Sequence, residues 1–290
     1  MLLATLIAAG ALSPGDLATA SDALRGAGGE PGPGAWLDAG DAADLPVTGI
    51  DQPAARIALE AALPGIDVVV QPEAHRIKRL LIADMDSTMI ACECIDELAD
   101  YAGLKPQVAA ITEAAMRGEL DFAAAVDARV ALLKGMDAAV IDRCRAERVR
   151  LTAGAKTLVA TMAARGARTI LVSGGFTAFA GPVGAELGFD RVVANRLLIE
   201  GGKLTGTVAR PIVDAATKRA ELDAAGVPLA ATLAVGDGAN DIPMLTRAGL
   251  GIAYYAKPAA AAAADAAIRS GDLTALLWAQ GYRRAAWIDP

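Results

Sequence analysis

Two aspartates separated by one residue close an apolar run in Asp84-Met85-Asp86-Ser87-Thr88. A carboxylate pair at that spacing can divide labour, one attacking an electrophile while the other gives a proton to the departing group. The same pair also occurs on plain solvated loops, so its meaning depends on companions. Ser173-Gly174-Gly175 is one: a hydroxyl followed by glycines lets backbone N–H groups approach a phosphate closely, although a simple turn has the same composition. Lys218 follows Thr217 in a helical pattern and alone reads as a solvated cation. Gly236-Asp237-Gly238-Ala239-Asn240-Asp241 is the most distinctive segment. Two carboxylates on a glycine loop after an apolar strand suit a hard cation with oxygen ligands, such as Mg²⁺. The loop lacks the further acids and terminal Glu that an EF-hand needs.

Other chemistries have little to draw on. His75 is the one histidine and lies in a polar linker, which leaves no partner for a Ser-His-Asp triad. Cys92, Cys94 and Cys144 are three cysteines, too few for a disulfide framework, and a CxC pair without a second pair is a weak zinc signal. The net charge is −7 with no Lys/Arg run, which argues against nucleic acid. Residues 1–15 are uncharged, but no Lys/Arg precedes the apolar stretch and Gly10 and Pro14 break it, so it reads as a buried first strand rather than a signal peptide. The alanine-rich stretch at 258–264 is bracketed by Lys257 and Asp265 and is far too short to span a bilayer. These features predict a cytoplasmic protein with neither a membrane nor a nucleic acid as partner.

Something must hold the polar segments together, and the apolar pattern around them supplies it. Residues 80–83, 169–172 and 232–235 are short apolar strands, each ending at one of these loops. Strands of this kind separated by helices predict a parallel sheet buried on both faces, with ligands at its carboxyl ends. From Asp84 to Ser173 is 89 residues, whereas a βαβ unit takes ~30 or more, so a surplus helical segment of about 92–152 should cover the site. Residues 192–199 and 204–208 flank Gly201-Gly202 as a hairpin. The first 74 residues carry the order β-α-β-β-α-β, with strands at 2–8, near Trp36 and Val47, and at 66–70, which predicts a small ferredoxin-like α+β unit.

The segments DMDST at 84–88, SGG at 173–175, Lys218 and GDGAND at 236–241, in that order, resemble the four motifs of the haloacid dehalogenase superfamily, in particular its phosphoserine-hydrolysing branch. The likeness covers about residues 78–285 and extends through DMDSTMIACECIDELA, MRGELDFAAAVDARVALLKG and ANRLLIEGGKLTG. It implies an α/β fold, a Rossmann-like parallel sheet with a helical cap inserted after the first core strand, over residues 75–290. The module at 1–74 resembles the ACT-like extension that some members carry. The resemblance further implies that Asp84 attacks phosphorus and that Asp86 protonates the leaving hydroxyl and later activates water. Mg²⁺ would be held by the Asp84 carboxylate, the Asp86 backbone carbonyl and Asp237. Ser173, the Gly174 N–H and Lys218 would bind the other phosphate oxygens. Asn240 would contact substrate, and Asp241 would orient Lys218 or a metal-bound water. In the cap, Glu93 would pair with a substrate ammonium, Arg129 would grip its carboxylate, and Met116 and Phe122 would form an apolar wall. The implied reaction is hydrolysis of O-phosphoserine, the last step of serine biosynthesis. Phosphate transfer, another small phosphate ester, or an amino-acid sensor with a vestigial site are the alternatives. Monomer and homodimer both stay open.

The nucleophile gives the first prediction. Asp84→Asn keeps the shape but removes the attacking charge, so turnover of any phosphate ester should fall by several orders of magnitude. A variant retaining more than about a tenth of wild-type turnover would exclude the covalent route, since a lost nucleophile costs far more than that.

Overall fold

The computed structural model describes residues 1–116 and 119–289; the side chain of Met116 lies outside the described residues. The chain begins with β1 (Leu2–Ile7), α1 (Pro14–Gly26), β2 (Glu30–Pro31), β3 (Ala35–Asp38), β4 (Ala42–Thr48), α2 (Gln52–Ala62) and β5 (Asp67–Pro72). Both helices start where local chemistry tells them to. Ser13 and Asp16 form a reciprocal capping box before α1, and Asp51 caps α2 by accepting from the Ala54 N–H at 2.8 Å. The strands form an antiparallel sheet in the order β2-β4-β1-β5, with β3 also on β4. Leu6, Leu24, Leu45 and Leu59 fill the space between this sheet and its helices.

The second sheet is built from β6 (Leu80–Ala83), β7 (Arg168–Phe176), β8 (Arg191–Asn195), β11 (Thr232–Gly236), β12 (Leu250–Tyr254) and β13 (Ala266–Ile268). Its order is β13-β12-β11-β6-β7-β8, and every pairing is parallel. All four residues of β6 are buried. Leu81 and Ala83 point into one core while Leu80 and Ile82 point into the other, so a strand covered on both faces needs no polar alternation. Ala83 lies in register with Leu171 and with Val235, which brings Asp84, Ser173 and Asp237 to one edge of the sheet.

Between β6 and β7 come α3 (Cys94–Tyr101), α4 (Lys105–Met116), α5 (Phe122–Ala131), α6 (Ala139–Arg148) and α7 (Ala155–Ala164). α8 (Thr177–Leu187) joins β7 to β8, and β9 (Leu197–Glu200) pairs with β10 (Lys203–Val208). α9 (Ala215–Ala224) precedes β11; α10 (Ile242–Leu245), α11 (Pro258–Ala263) and α12 (Ala275–Ala279) complete the chain. One sequence expectation is corrected here. Residues 192–199 are not one arm of a hairpin: the strand breaks at Arg196, with β8 serving the parallel sheet and only β9 turning back on β10. Apolar residues flank Asn195-Arg196 on both sides, yet the two pieces belong to different sheets. Among the described residues no helix is long and apolar enough to cross a membrane.

The two sheets are tied by buried and half-buried polar groups. Arg76 forks onto Asp44 of β4 at 2.6 and 2.7 Å and also donates to the Thr5 hydroxyl and to the carbonyls of Trp278 and Ala279. Asp67 of β5 accepts from the N–H groups of Arg269, Ser270 and Gly271 just beyond β13. Lys78, 4% exposed, donates to the Ala230 carbonyl at 3.1 Å. Burial pushes its ammonium down to about 8, with Asp265 pulling the other way. A lysine whose folded value lies below its unfolded one destabilises the fold below about pH 8, and stability recovers as pH rises toward 10.5. Lys78→Met should therefore stabilise the protein at pH 7 by about 2 kcal/mol and should lose that rise, as read from urea midpoints between pH 7 and 10.

Candidate active site

Lys218, like its partner Asp241, is fully buried; it stands on the first turn of α9. Its Nζ lies 2.8 Å from Asp84 Oδ1 and 2.6 Å from Asp241 Oδ1. The position is set by the start of the helix, where Asp214 accepts from the Thr217 N–H at 2.8 Å and the Thr217 hydroxyl at 2.9 Å. Asp84 sits at the end of β6, and its Oδ1 also accepts from the Met85 N–H at 2.7 Å. Asp241 uses its second oxygen to accept from the N–H groups of Asp237 and Gly238, at 3.1 and 2.9 Å. Gly236 makes that possible, because a Cβ there would lie 2.5 Å from Asp241 Cγ. Burial works against the Lys218 charge, but Asp84 and Asp241 together hold its ammonium above the usual lysine value. Burial and the Asp241 charge push Asp84 upward, with Lys218 opposing them.

The second aspartate faces a different set of partners. The chain makes a wide turn over Met85–Met89, with Ser87 in the left-handed region at φ 54°. Asp86 Oδ1 accepts from the Cys94 N–H at 3.2 Å. Burial first, and the Glu93 charge next, push the Asp86 carboxyl up to about 7, so near neutrality it can carry a proton. On its other side lies the Ser173–Gly175 turn. A Cβ on Gly175 would sit 2.7 Å from Asp86 Oδ2 and 3.1 Å from Ser173 Oγ. The Gly175 N–H donates to Ser173 Oγ at 2.9 Å. That hydroxyl therefore accepts within the turn and keeps its own proton to donate elsewhere.

The helices between β6 and β7 bring further residues. Glu93 stands at the start of α3 without capping it; its Oε1 instead accepts from the Ser87 hydroxyl at 2.7 Å. Phe122 opens α5, and its ring edge is the atom that a Cβ on Gly174 would strike, at 2.9 Å. Arg129 is half-buried on the same helix and donates from Nε to the Ala125 carbonyl at 3.2 Å. Burial lowers its guanidinium from the usual value, while Asp96, Glu93 and Asp86 support its charge. Asn240 is half-buried, with its carboxamide against Gly238. The expected role of Met116 falls on a side chain outside the described residues.

Oxygens of Asp84, Asp237 and Asp241 all lie within 4.8 Å of one another, and all three residues are buried. Burial, then the Asp241 and Glu93 charges, push Asp237 up to about 6. Three buried carboxylates, two of them on the Lys218 ammonium and the third with Lys257 acting on it, leave an excess of negative charge, which a hard divalent cation would offset, so the donor set fits one. The Asp86 side chain is directed instead toward Cys94 and Gly175.

Residues that motif reading passed over also meet here. Asn195 is 2% exposed, and its carboxamide reaches Gly174 and Val213. An asparagine closing an apolar strand, beside Arg196, is the available signal. Asp214 was legible as the helix cap four residues before Lys218. Ser87 lies inside the first motif, but its positive φ and its bond to Glu93 are visible only in the fold.

Residues 81–246 match the profile of the haloacid dehalogenase-like hydrolases, and residues 216–278 match a second profile of the same description. A phosphoserine phosphatase of Streptomyces coelicolor is 47% identical over 251 residues, 84% of this chain and 61% of that protein. The chain thus spans less than two thirds of that relative's length. A haloacid dehalogenase family hydrolase of Salmonella enterica superposes with a TM-score of 0.83 at 30% identity, covering 96% of this chain and 98% of the other. A probable phosphoserine phosphatase of Vibrio cholerae gives a TM-score of 0.77 at 32% identity, covering 98% of this chain and 88% of the other.

Gly175 supplies a test of the close approach between the turn and Asp86. Gly175→Ala should displace one of them and lower turnover of a phosphate ester by about ten- to a hundredfold. Gly181→Ala, where a Cβ meets nothing within 4 Å, serves as the silent control. Equal activity of the two variants would show that the contact has no catalytic consequence.

Proposed function

The chain belongs to the haloacid dehalogenase-like hydrolases, and from that membership we propose that it hydrolyses O-phosphoserine to serine and phosphate through an aspartyl-phosphate on Asp84. The carrying observation is the buried Lys218 bound to both Asp84 and Asp241, at the sheet edge where Ser173 and Asp237 also lie. A phosphate placed there meets a nucleophile, a fixed cation and a hydroxyl donor together. Relatives named phosphoserine phosphatase support serine as the alcohol.

Asp84 attacks phosphorus, and the bond to the serine oxygen breaks as Asp86 delivers its proton. The raised Asp86 carboxyl suits that role, and once ionised it can take a proton from the water that cleaves the acyl-phosphate. Ser173, the Gly174 N–H and Lys218 hold the remaining phosphate oxygens, on which charge builds. Asp241 keeps Lys218 in place. Mg²⁺, held by the Asp84 carboxylate, the Asp86 carbonyl and Asp237, would neutralise the acidic cluster and the phosphate. Asn240 contacts the substrate from the last loop.

The helices over 92–152 act in this reading as a cap that chooses the substrate. Glu93 takes the ammonium, Arg129 the carboxylate, and Phe122 with Met116 the apolar flank. The first 74 residues form an ACT-like module on residues 75–290, and the enzyme works in the cytoplasm.

Phosphate release from a panel of phosphorylated amino acids and sugars, with Mg²⁺ and with chelator, tests the proposal. Phosphoserine should lead the panel, and chelator should abolish release. Arg129→Lys loses the planar fork for the carboxylate, so kcat/KM for phosphoserine should fall about ten- to a hundredfold. Activity on p-nitrophenyl phosphate, which has no carboxylate, should stay within a few-fold of wild type. Equal losses on both substrates would make Arg129 a structural residue of the cap.

A further inference from the structure

We propose that Asn195 is a positioning residue for phosphate: its side chain holds open the bulge in β7 that presents Ser173. Pairing between β7 and β8 runs Val172 with Val193 and resumes at Phe176 with Asn195. Three residues of β7, Ser173 to Gly175, therefore face the single Ala194. A bulge of this kind removes its carbonyl groups from the ladder and leaves them in need of other donors. Asn195 supplies one, donating from Nδ2 to the Gly174 carbonyl at 2.8 Å. Its Oδ1 accepts from the Val213 N–H at 2.8 Å, and Nδ2 lies 3.4 Å from the Val213 carbonyl. The orientation of the carboxamide is set by its partners, since a carbonyl must meet the NH₂ end and an N–H the oxygen.

The turn that carries Ser173 is thus locked by one buried amide. The Gly174–Gly175 peptide is held at both ends, its carbonyl by Asn195 and its N–H by Ser173 Oγ. That second bond spends one acceptor site of the Ser173 hydroxyl and leaves its proton for a phosphate oxygen. Were the peptide to flip, a carbonyl would face Ser173 Oγ, and the hydroxyl would turn its proton inward. Val213 immediately precedes Asp214, the cap of the helix that carries Lys218. Asn195 touches neither the reacting atoms nor the metal cluster, so it acts through Ser173.

The inference rests on the proposal that Ser173 binds phosphate, and a double-mutant cycle separates the two. Asn195→Asp retains volume and the acceptor for Val213 but puts an oxygen against the Gly174 carbonyl; Asn195→Ala removes both bonds. With p-nitrophenyl phosphate as substrate, each should lower kcat/KM about tenfold or more and raise the inhibition constant of inorganic phosphate in parallel. In a Ser173→Ala background the same changes should cost no more than about threefold further. A full, additive loss in that background would overturn the positioning role while leaving Ser173 a phosphate ligand. Unchanged activity of Ser173→Ala alone would instead overturn the phosphate-site reading and this inference with it. Should Asn195→Ala fail to fold, Asn195→Asp carries the cycle alone.

Discussion

A lysine ammonium with no access to water is tolerated only if carboxylates surround it, and Lys218 is held by two, from the loops after β6 and β11. Removing one partner of such a group typically costs about 3–5 kcal/mol, because the other charge is then buried alone. The rest of the site follows from this arrangement. The two strands must end level, as their register ensures, and Asp241 must turn back over Gly236 to reach the lysine. The resulting excess of carboxylates is what makes the place suited to a divalent cation.

Space is the second constraint. The loops approach so closely that four glycines stand where a side chain would collide with a functional group: Gly174 with Phe122, Gly175 with Asp86, Gly236 with Asp241, and Gly238 with Asn240. Gly175 with Asp86 joins two polar loops, Gly236 and Gly238 bind the third loop to itself, and Gly174 with Phe122 brings a loop against α5. Their effect is to let the backbone of these turns lie against neighbouring side chains at distances that a Cβ would forbid.

The two aspartates of the first loop show how environment separates like groups. Asp84 faces an ammonium, whereas Asp86 faces the carboxylate of Glu93 and one backbone N–H. The same side chain in two fields can serve as nucleophile and as proton carrier. Glu93 takes part twice, raising Asp86 by its charge and accepting from Ser87 in the strained turn between them.

Much of this was legible before folding was considered. The strands at 80–83, 169–172 and 232–235 were plain because a sheet covered on both faces demands unbroken apolar runs, and each run ended at a polar loop. Asp84, Ser173, Lys218 and Asp237 were named from residue type and motif order, and the register brings the three loop residues to one edge. What sequence alone could not decide was which neighbours each would have. The polar pair Asn195-Arg196 stands at the strand break, but nothing local says that the pieces on its two sides belong to different sheets. Asn195 carried a weak signal and no role, since its partners Gly174 and Val213 lie 21 and 18 residues away in the chain. Residue types and local order come from the sequence; the contacts that set charge state, hydroxyl direction and loop spacing are long-range. Those exist only once the sheet has closed.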